Sequence, residues 1–225
     1  MEALPELDVV LESAAKLQQL VPDAVLVGGT AAAYYAHHRL SVDHDHVVSD
    51  LQERFELILE ALEREGDWVT NRVQPGKIIL GELGGIETGI RQLIRTRPLE
   101  VESVQLNTGS FLVVPTLPEI LRIKAFLAVK RNQVRDYLDI AALSDRMGIQ
   151  LAAEVLNNID AYYADNDKVR GALATQVAIQ LANPLPRDKK VIVQLPKYKG
   201  LKSKWSSWEQ VEAVCADVAA EMVEV

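Results

Sequence analysis

Val25–Val48, VLVGGTAAAYYAHHRLSVDHDHVV, is the stretch from which the fold and the chemistry both follow. Ala24–Val27 is a short apolar run that reads as a buried strand. Gly28-Gly29-Thr30 breaks it, and Ala31–His37 reads as a turn of helix. After Arg39 a second extended segment, Ser41–Val48, carries Asp43 and Asp45. Side chains alternate across a strand, so these two carboxylates share a face, and His44 and His46 point the other way. Neighbouring carboxylates repel. A divalent cation with oxygen ligands is the usual compensation. The glycines let backbone N–H groups approach an anion at a helix N-terminus. A phosphate seat and a metal seat this close in sequence point to a metal–nucleotide site.

Outward from this stretch, Leu7, Val10, Leu11, Ala14, Leu17 and Leu20 recur at helical spacing and predict a helix over 4–20. Ser49-Asp50 starts another, with Phe55, Ile58, Leu59 and Leu62 on its core face and Gly66 at its end. Three strands follow, over 68–73, 77–83 and 86–94, punctuated by Pro75-Gly76 and Gly84-Gly85. A hairpin over 101–106 and 110–114 turns at Asn107-Thr108-Gly109. At Pro115 the character changes. Thr116 with Glu119 is a capping-box start, and the chain reads helical to Met147 with a turn near Arg131–Gln133. Further helices are expected over 151–160, 169–181 and 205–223, with Asn183–Pro186 as a linker. The expectation is an α+β fold: an α/β domain over 1–115 with a mixed sheet and flanking helices, then a C-terminal helical domain over 116–225, the active site lying in a cleft between them.

Composition narrows the class. The chain has 225 residues, 48% of them hydrophobic, enough for a substantial core. Its net charge of −8 argues against general coating of nucleic acid but leaves room for a local basic site. One cysteine, Cys215, excludes an intrachain disulfide and fits a reducing compartment. The acidic start MEALPELD lacks a basic leader, and no apolar run reaches membrane-spanning length. A soluble cytoplasmic protein, without a membrane span, is expected.

Gly28-Gly29-Thr30 with Ser41-Val42-Asp43-His44-Asp45 resembles the signature of the DNA polymerase β-like nucleotidyltransferases, in the branch of the AbiEii/AbiGii-type toxins. A second block agrees: Leu121-Arg122-Ile123-Lys124-Ala125, Arg131, and Arg135-Asp136-Tyr137-Leu138-Asp139. The resemblance covers roughly residues 20–145. Two departures stand out: His44 occupies a position that is more usually apolar, and the third metal carboxylate is not evident. The resemblance implies that Asp43 and Asp45 hold Mg²⁺ on a nucleoside triphosphate. Gly28, Gly29 and Thr30 then bind its phosphates. Lys124 is implied as a triphosphate contact, and part of the cluster Arg131, Arg135, Asp136 and Asp139 as lining the nucleotide site. The third carboxylate belongs on a strand beside the Asp-x-Asp strand. Glu82, Glu87, Glu100 and Glu102 qualify, and Glu87, set among apolar neighbours, is chosen before Glu82.

Blander explanations exist for each. Gly-Gly-Thr is also an ordinary strand-to-helix turn in which Thr30 caps the helix. A lysine among Ile120, Leu121, Ile123 and Leu127 is often a snorkelling one. Arg135 and Asp139, four residues apart on a helix, suggest a structural ion pair. His44-Asp45 spells the pair used by helical metal phosphohydrolases, but no histidine follows residue 46, and a structural zinc site lacks cysteine ligands. A basic tract, Lys189-Lys190 to Lys204 with Tyr198, Trp205 and Trp208 interleaved, could seat RNA phosphates or an acidic partner, or form a solvated loop with the tryptophans in the core.

The reading is a Mg²⁺-dependent nucleotidyltransferase that moves NMP from an NTP to an acceptor hydroxyl. By resemblance the acceptor is RNA, such as a tRNA 3′ end, and the chain is the toxin of a toxin–antitoxin or phage-defence system with a cognate antitoxin. The alternatives are a small-molecule adenylyltransferase and a non-catalytic nucleotide- or protein-binding module.

Overall fold

A computed structural model describes residues 5–95, 97–163 and 171–224. The chain divides into two compact units. The first comprises the residues through Tyr34 together with Leu40–Thr116; the second comprises Tyr35–Arg39 and the residues from Leu117 onward.

In the first unit, α1 (Pro5–Leu20) buries Leu7, Val10, Leu11, Ala14 and Leu17 at the expected spacing. It leads into β1 (Val25–Val27), α2 (Gly28–Ala36) and β2 (His44–Val48). Next come α3 (Leu51–Glu63), β3 (Trp68–Gln74), β4 (Ile78–Leu83) and β5 (Ile86–Gln92). Five strands form one mixed sheet in the order β1-β2-β5-β4-β3, parallel only between β2 and β5. The core between the sheet and the helices holds Leu17, Val48, Phe55, Trp68, Ile79 and Ile90. Strands β6 (Val101–Gln105) and β7 (Phe111–Pro115) pair as a separate hairpin rather than joining the large sheet. The buried amide of Gln18 serves β7 as a substitute strand: Gln18 Nε2 donates to Val113 O (2.8 Å), and Val113 N–H donates to Gln18 Oε1 (2.7 Å). Two backbone groups at a sheet edge are satisfied in this way.

The second unit is helical: α4 (Leu117–Arg131), α5 (Val134–Met147), α6 (Ile149–Asn157), α7 (Leu173–Ala182) and α8 (Trp208–Glu224). The first residues of the helix expected over 169–181 lie outside the described residues. Ten of the fourteen residues of α5 are buried, so it forms the centre of this unit, packed on α4, α6 and α8. Trp208, Val211, Cys215, Val218 and Met222 give α8 a single buried stripe. Trp208 meets the Tyr137 ring edge-on, with centroids 6.1 Å apart. Trp205 and Trp208 are both core residues. No helix among the described residues is long and apolar enough to cross a membrane.

Candidate active site

The strand β1 passes directly into α2. Gly28 makes the corner with φ +78°, a left-handed conformation that costs other residues about 1–2 kcal/mol. The helix therefore begins at Gly28, three residues earlier than the sequence predicts, and Thr30 lies inside its first turn rather than capping it. The buried Thr30 hydroxyl donates to the carbonyl oxygen of Asp43. It ties the glycine turn to the Asp-x-Asp segment and is not offered to a phosphate. The first N–H groups of a helix have no intrahelical acceptor, so the backbone of Gly28 and Gly29 carries the anion-binding capacity of this turn.

Asp45 is on β2, but Asp43 lies just before the strand, which starts at His44. Ser41 Oγ donates to Asp43 Oδ1 (3.0 Å). Alternation along β2 holds as expected: His44 and His46 are buried, and Asp45 is partly exposed on the opposite face. Asp45 pairs across β1 with Val27 and across β5 with Gly89. Both glycines near it leave room for its carboxylate. A Cβ on Gly89 would stand 2.4 Å from Asp45 Oδ1, and one on Gly28 would stand 3.4 Å from Oδ2. A cradle open to this carboxylate is thus built from the backbone of two elements. Arg91 Nε approaches Asp45 Oδ1 at 3.5 Å.

Glu87, Gly89 and Arg91 alternate on β5, so all three share the face of Asp45. Glu87 is exposed there, and Glu82 pairs with it across β4 while accepting a hydrogen bond from Asn71 Nδ2 (3.2 Å). Glu102 is on the separate hairpin and Glu100 precedes it. Among the described residues no three His, Cys, Asp or Glu side chains stand close enough together to hold a metal ion. Glu87 has the right face, yet it is not gathered with Asp43 and Asp45 into a cage. The fit to Mg²⁺ thus rests on two carboxylates. That suffices chemically, because Mg²⁺ is commonly held by one or two carboxylates together with substrate phosphates and water.

Behind this face the histidines form a buried relay. Thr88 Oγ1 donates to Ile86 O (2.9 Å), which leaves it to accept from His44 Nε2 (3.1 Å). His44 Nε2 also lies 3.0 Å from Ser13 Oγ, and its Nδ1 faces His46 Nδ1 at 3.5 Å. With Nε2 of His44 protonated, Nδ1 of His44 accepts and Nδ1–H of His46 donates. Burial lowers the pKa of His44 to about 4, against a smaller opposing effect of Asp43; burial also holds His46 well below the ordinary imidazole value. Both rings are neutral at pH 7 and neither is turned toward the carboxylates.

In the helical unit the second motif block forms a buried charge cluster around Asp139. Lys124 Nζ stands 2.6 Å from Asp139 Oδ2 and His38 Nε2 stands 2.8 Å from Oδ1. Arg39 reaches both oxygens, with Nε 3.0 Å from Oδ1 and Nη2 3.2 Å from Oδ2. Burial opposes ionisation of Asp139, but the charges of Arg39 and Lys124 and the His38 hydrogen bond outweigh it and hold this carboxyl well below the usual range. Burial lowers the His38 pKa, so the neutral ring donates from Nε2 to Asp139; its Nδ1 has no hydrogen-bond partner among the described residues.

The ion pair expected between Arg135 and Asp139 does not form. Arg135 is exposed and donates from Nε to Gln133 Oε1 (3.2 Å), while Asp139 turns inward. Asp136 is buried and takes a two-pronged contact from Arg131, at 2.7 and 2.6 Å. Lys124, Asp136 and Asp139 are therefore engaged with one another's neighbours inside the unit. Of the four residues assigned to nucleotide in this block, Arg135 alone is exposed. The sequence reading missed Arg91, Gly89, His38 and Arg39. A polar His-His-Arg run ahead of the Asp-x-Asp pair was a signal for the last two, but their partner lies about a hundred residues away.

A family model described as nucleotidyl transferase AbiEii toxin, Type IV TA system, matches residues 9–196. The chain is also 32% identical, over 247 aligned positions, to the heme uptake protein MmpL11 of Mycobacterium tuberculosis; the match covers 98% of this chain and 23% of that protein. The chain thus spans about a quarter of the length of this curated relative. Among solved structures it is similar to MenT4, a nucleotidyltransferase toxin of Mycobacterium tuberculosis, with a TM-score of 0.57 and 15% identity over 97% of this chain and 83% of that one. It is also similar to an antigenic nucleotidyltransferase-like protein of Paracoccidioides brasiliensis, with a TM-score of 0.52 and 17% identity over 88% of this chain and 95% of that one. At these identities the structural likeness is one of fold. The match of the family model over most of the chain, on the same residues that carry the two motif blocks, makes this chain a member of the AbiEii toxin family of nucleotidyl transferases.

Proposed function

We propose that the chain transfers a nucleoside monophosphate from an NTP to a hydroxyl of an RNA acceptor, and that it does so as the toxin partner of an antitoxin. The observation that carries this reading is the backbone cradle at Gly28 and Gly89, which keeps space open around the Asp45 carboxylate beside the glycine turn. Asp43 and Asp45 would hold Mg²⁺, which when bound supplies charge neutralisation for the triphosphate and the departing pyrophosphate. Thr30 and Ser41 fix the position of Asp43 through its carbonyl and its carboxylate. The N–H groups of Gly28 and Gly29 receive a phosphate at the head of α2. Arg91 is a positioning residue for Asp45. Glu87 remains the proposed third acid on the same face. In the helical unit Arg135 is the proposed phosphate contact, Asp139 is a positioning residue for Lys124 and Arg39, and Asp136 is one for Arg131.

The test is transfer of label from each α-³²P-NTP, with Mg²⁺, to total cellular RNA, beside an Asp43→Ala/Asp45→Ala variant of unchanged circular dichroism. Labelled RNA that disappears with the variant is the expected result. Among the described residues no third carboxylate is gathered with Asp43 and Asp45, which favours one second reading, a binding module that does not turn over. NTP binding by the wild type with no label in any acceptor would select it.

A further inference from the structure

The basic tract acquires a definite course in the helical unit: it runs along α5. At the N-terminal end of that helix, Val134 N–H donates to Asp188 Oδ1 (2.9 Å), and Arg187 N–H donates to Asn132 O (2.8 Å). Farther along, Lys202 N–H donates to His38 O (2.9 Å), and at the far end Lys204 Nζ lies 2.6 Å from Asp145 Oδ1. From Val134 to Asp145 the helix rises about 16 Å.

Seven cationic residues and one acidic residue lie between Arg187 and Trp205, in a chain whose net charge is −8. The one acid, Asp188, is committed to the first turn of α5. Lys189, Lys190, Lys197, Lys199 and Lys202 are exposed, and none has an ion-pair partner among the described residues. The exposed Arg135 stands at the same end of α5 as Asp188. Trp205 and Trp208 are in the core, so they offer no stacking platform. Tyr198, half-buried, is the aromatic ring of the tract that is left for that role.

We propose that this stripe of lysines binds the phosphate backbone of the RNA acceptor. The proposal rests on the reading of the chain as a transferase acting on RNA. A single-signed row of lysines suits a polyanion, whose binding is driven by counterion release. It suits a protein partner poorly, since lysine is depleted at protein interfaces. Tyr198 adds one place for a base to stack. The match to the family model ends at residue 196, and Lys197, Lys199, Lys202 and Lys204 lie beyond it.

The test compares the wild type with K197E/K199E/K202E, which leaves the Lys204–Asp145 pair intact. Anisotropy of a labelled mixed-sequence single-stranded RNA is followed over a series of KCl concentrations, with NTP binding and circular dichroism measured alongside. Three lost phosphate contacts should reduce the slope of log K against log salt by about 2, at about 0.7 per phosphate on a single strand, and weaken binding at least about tenfold at low salt. NTP affinity should not change, and transfer to RNA should suffer in KM rather than kcat. K197Q/K199Q/K202Q should show a smaller change in the same direction. RNA affinity and salt slope equal to wild type would overturn the proposal. So would a variant that loses binding to poly-glutamate while retaining RNA, because the surface would then be one for an acidic protein. A wild type that transfers no label but binds RNA through these lysines would defeat the transferase reading and leave the binding surface standing.

Discussion

The buried histidine pair should make the α/β unit acid-labile, and His44 is the place to test it. Its pKa is about 4 in the folded chain, below the ordinary 6.5. Between these values the unfolded chain binds more protons than the folded one, so the stabilisation is complete above pH 6.5 and is lost as the pH falls toward 4. At about 1.4 kcal/mol per pH unit the full difference is about 3 kcal/mol. Most of it, about 2 kcal/mol, should be lost between pH 7 and pH 5. The geometry supports the direction independently. A second proton on His44 would go to Nδ1, which faces the buried Nδ1 of His46; that ring could accept it only by moving its own proton to Nε2, a buried atom with no hydrogen-bond partner among the described residues. The measurement is hydrogen exchange of peptides covering β2 and β5 at pH 7 and pH 5, corrected for intrinsic exchange rates, in the wild type and in His44→Gln. The substitution should cost stability at pH 7 by disturbing the contacts with Thr88 and Ser13. It should also flatten the loss between pH 7 and pH 5 by about 2 kcal/mol. Parallel pH dependences in the two proteins would refute the assignment of that loss to His44.

Two further substitutions probe the site. Asp139→Ala removes the carboxylate shared by Lys124, Arg39 and His38 and strands buried cations; a loss of about 3–5 kcal/mol is expected in chemical denaturation, with partial recovery in K124M/D139A. Gly89→Ala sets a methyl group 2.4 Å from Asp45 Oδ1 and should displace that carboxylate, lowering label transfer by about 100-fold while thermal stability changes little.

The local grammar of the chain was legible because it depends on neighbours. The alternation of β2 put His44 and His46 inside and Asp45 on the opposite face, and Gly-rich breaks marked the ends of β4 and β7's hairpin. Apolar spacing located α1 and α3. What was not legible depends on pairing between distant segments. The parallel register that sets Asp45 against Gly89 brings Arg91 to the site and gives Glu87 its face, and no feature of β5 alone announces that register. The helical block shows the same limit. Spacing by four offered Arg135 as the partner of Asp139, yet Asp139 is on the buried side of α5, where Lys124 on α4 and the His38-Arg39 strap reach it.

That strap carries a physical consequence. Tyr35–Arg39 belongs to the helical unit, although in sequence it joins α2, which begins with the glycine turn, to the segment that carries Asp43. Its anchor is a single carboxylate that satisfies three groups, and its ends lead in one direction to Thr30 and in the other to Ser41, the two residues that fix Asp43. A residue so connected need not touch a nucleotide to be required for its transfer. Asp139 can act by anchoring the segment between Thr30 and Ser41 that leads into the acid pair. The KM–kcat split in Asp139→Asn separates this from direct contact: a positioning role lowers kcat for every NTP alike, whereas a nucleotide contact raises KM and discriminates among them.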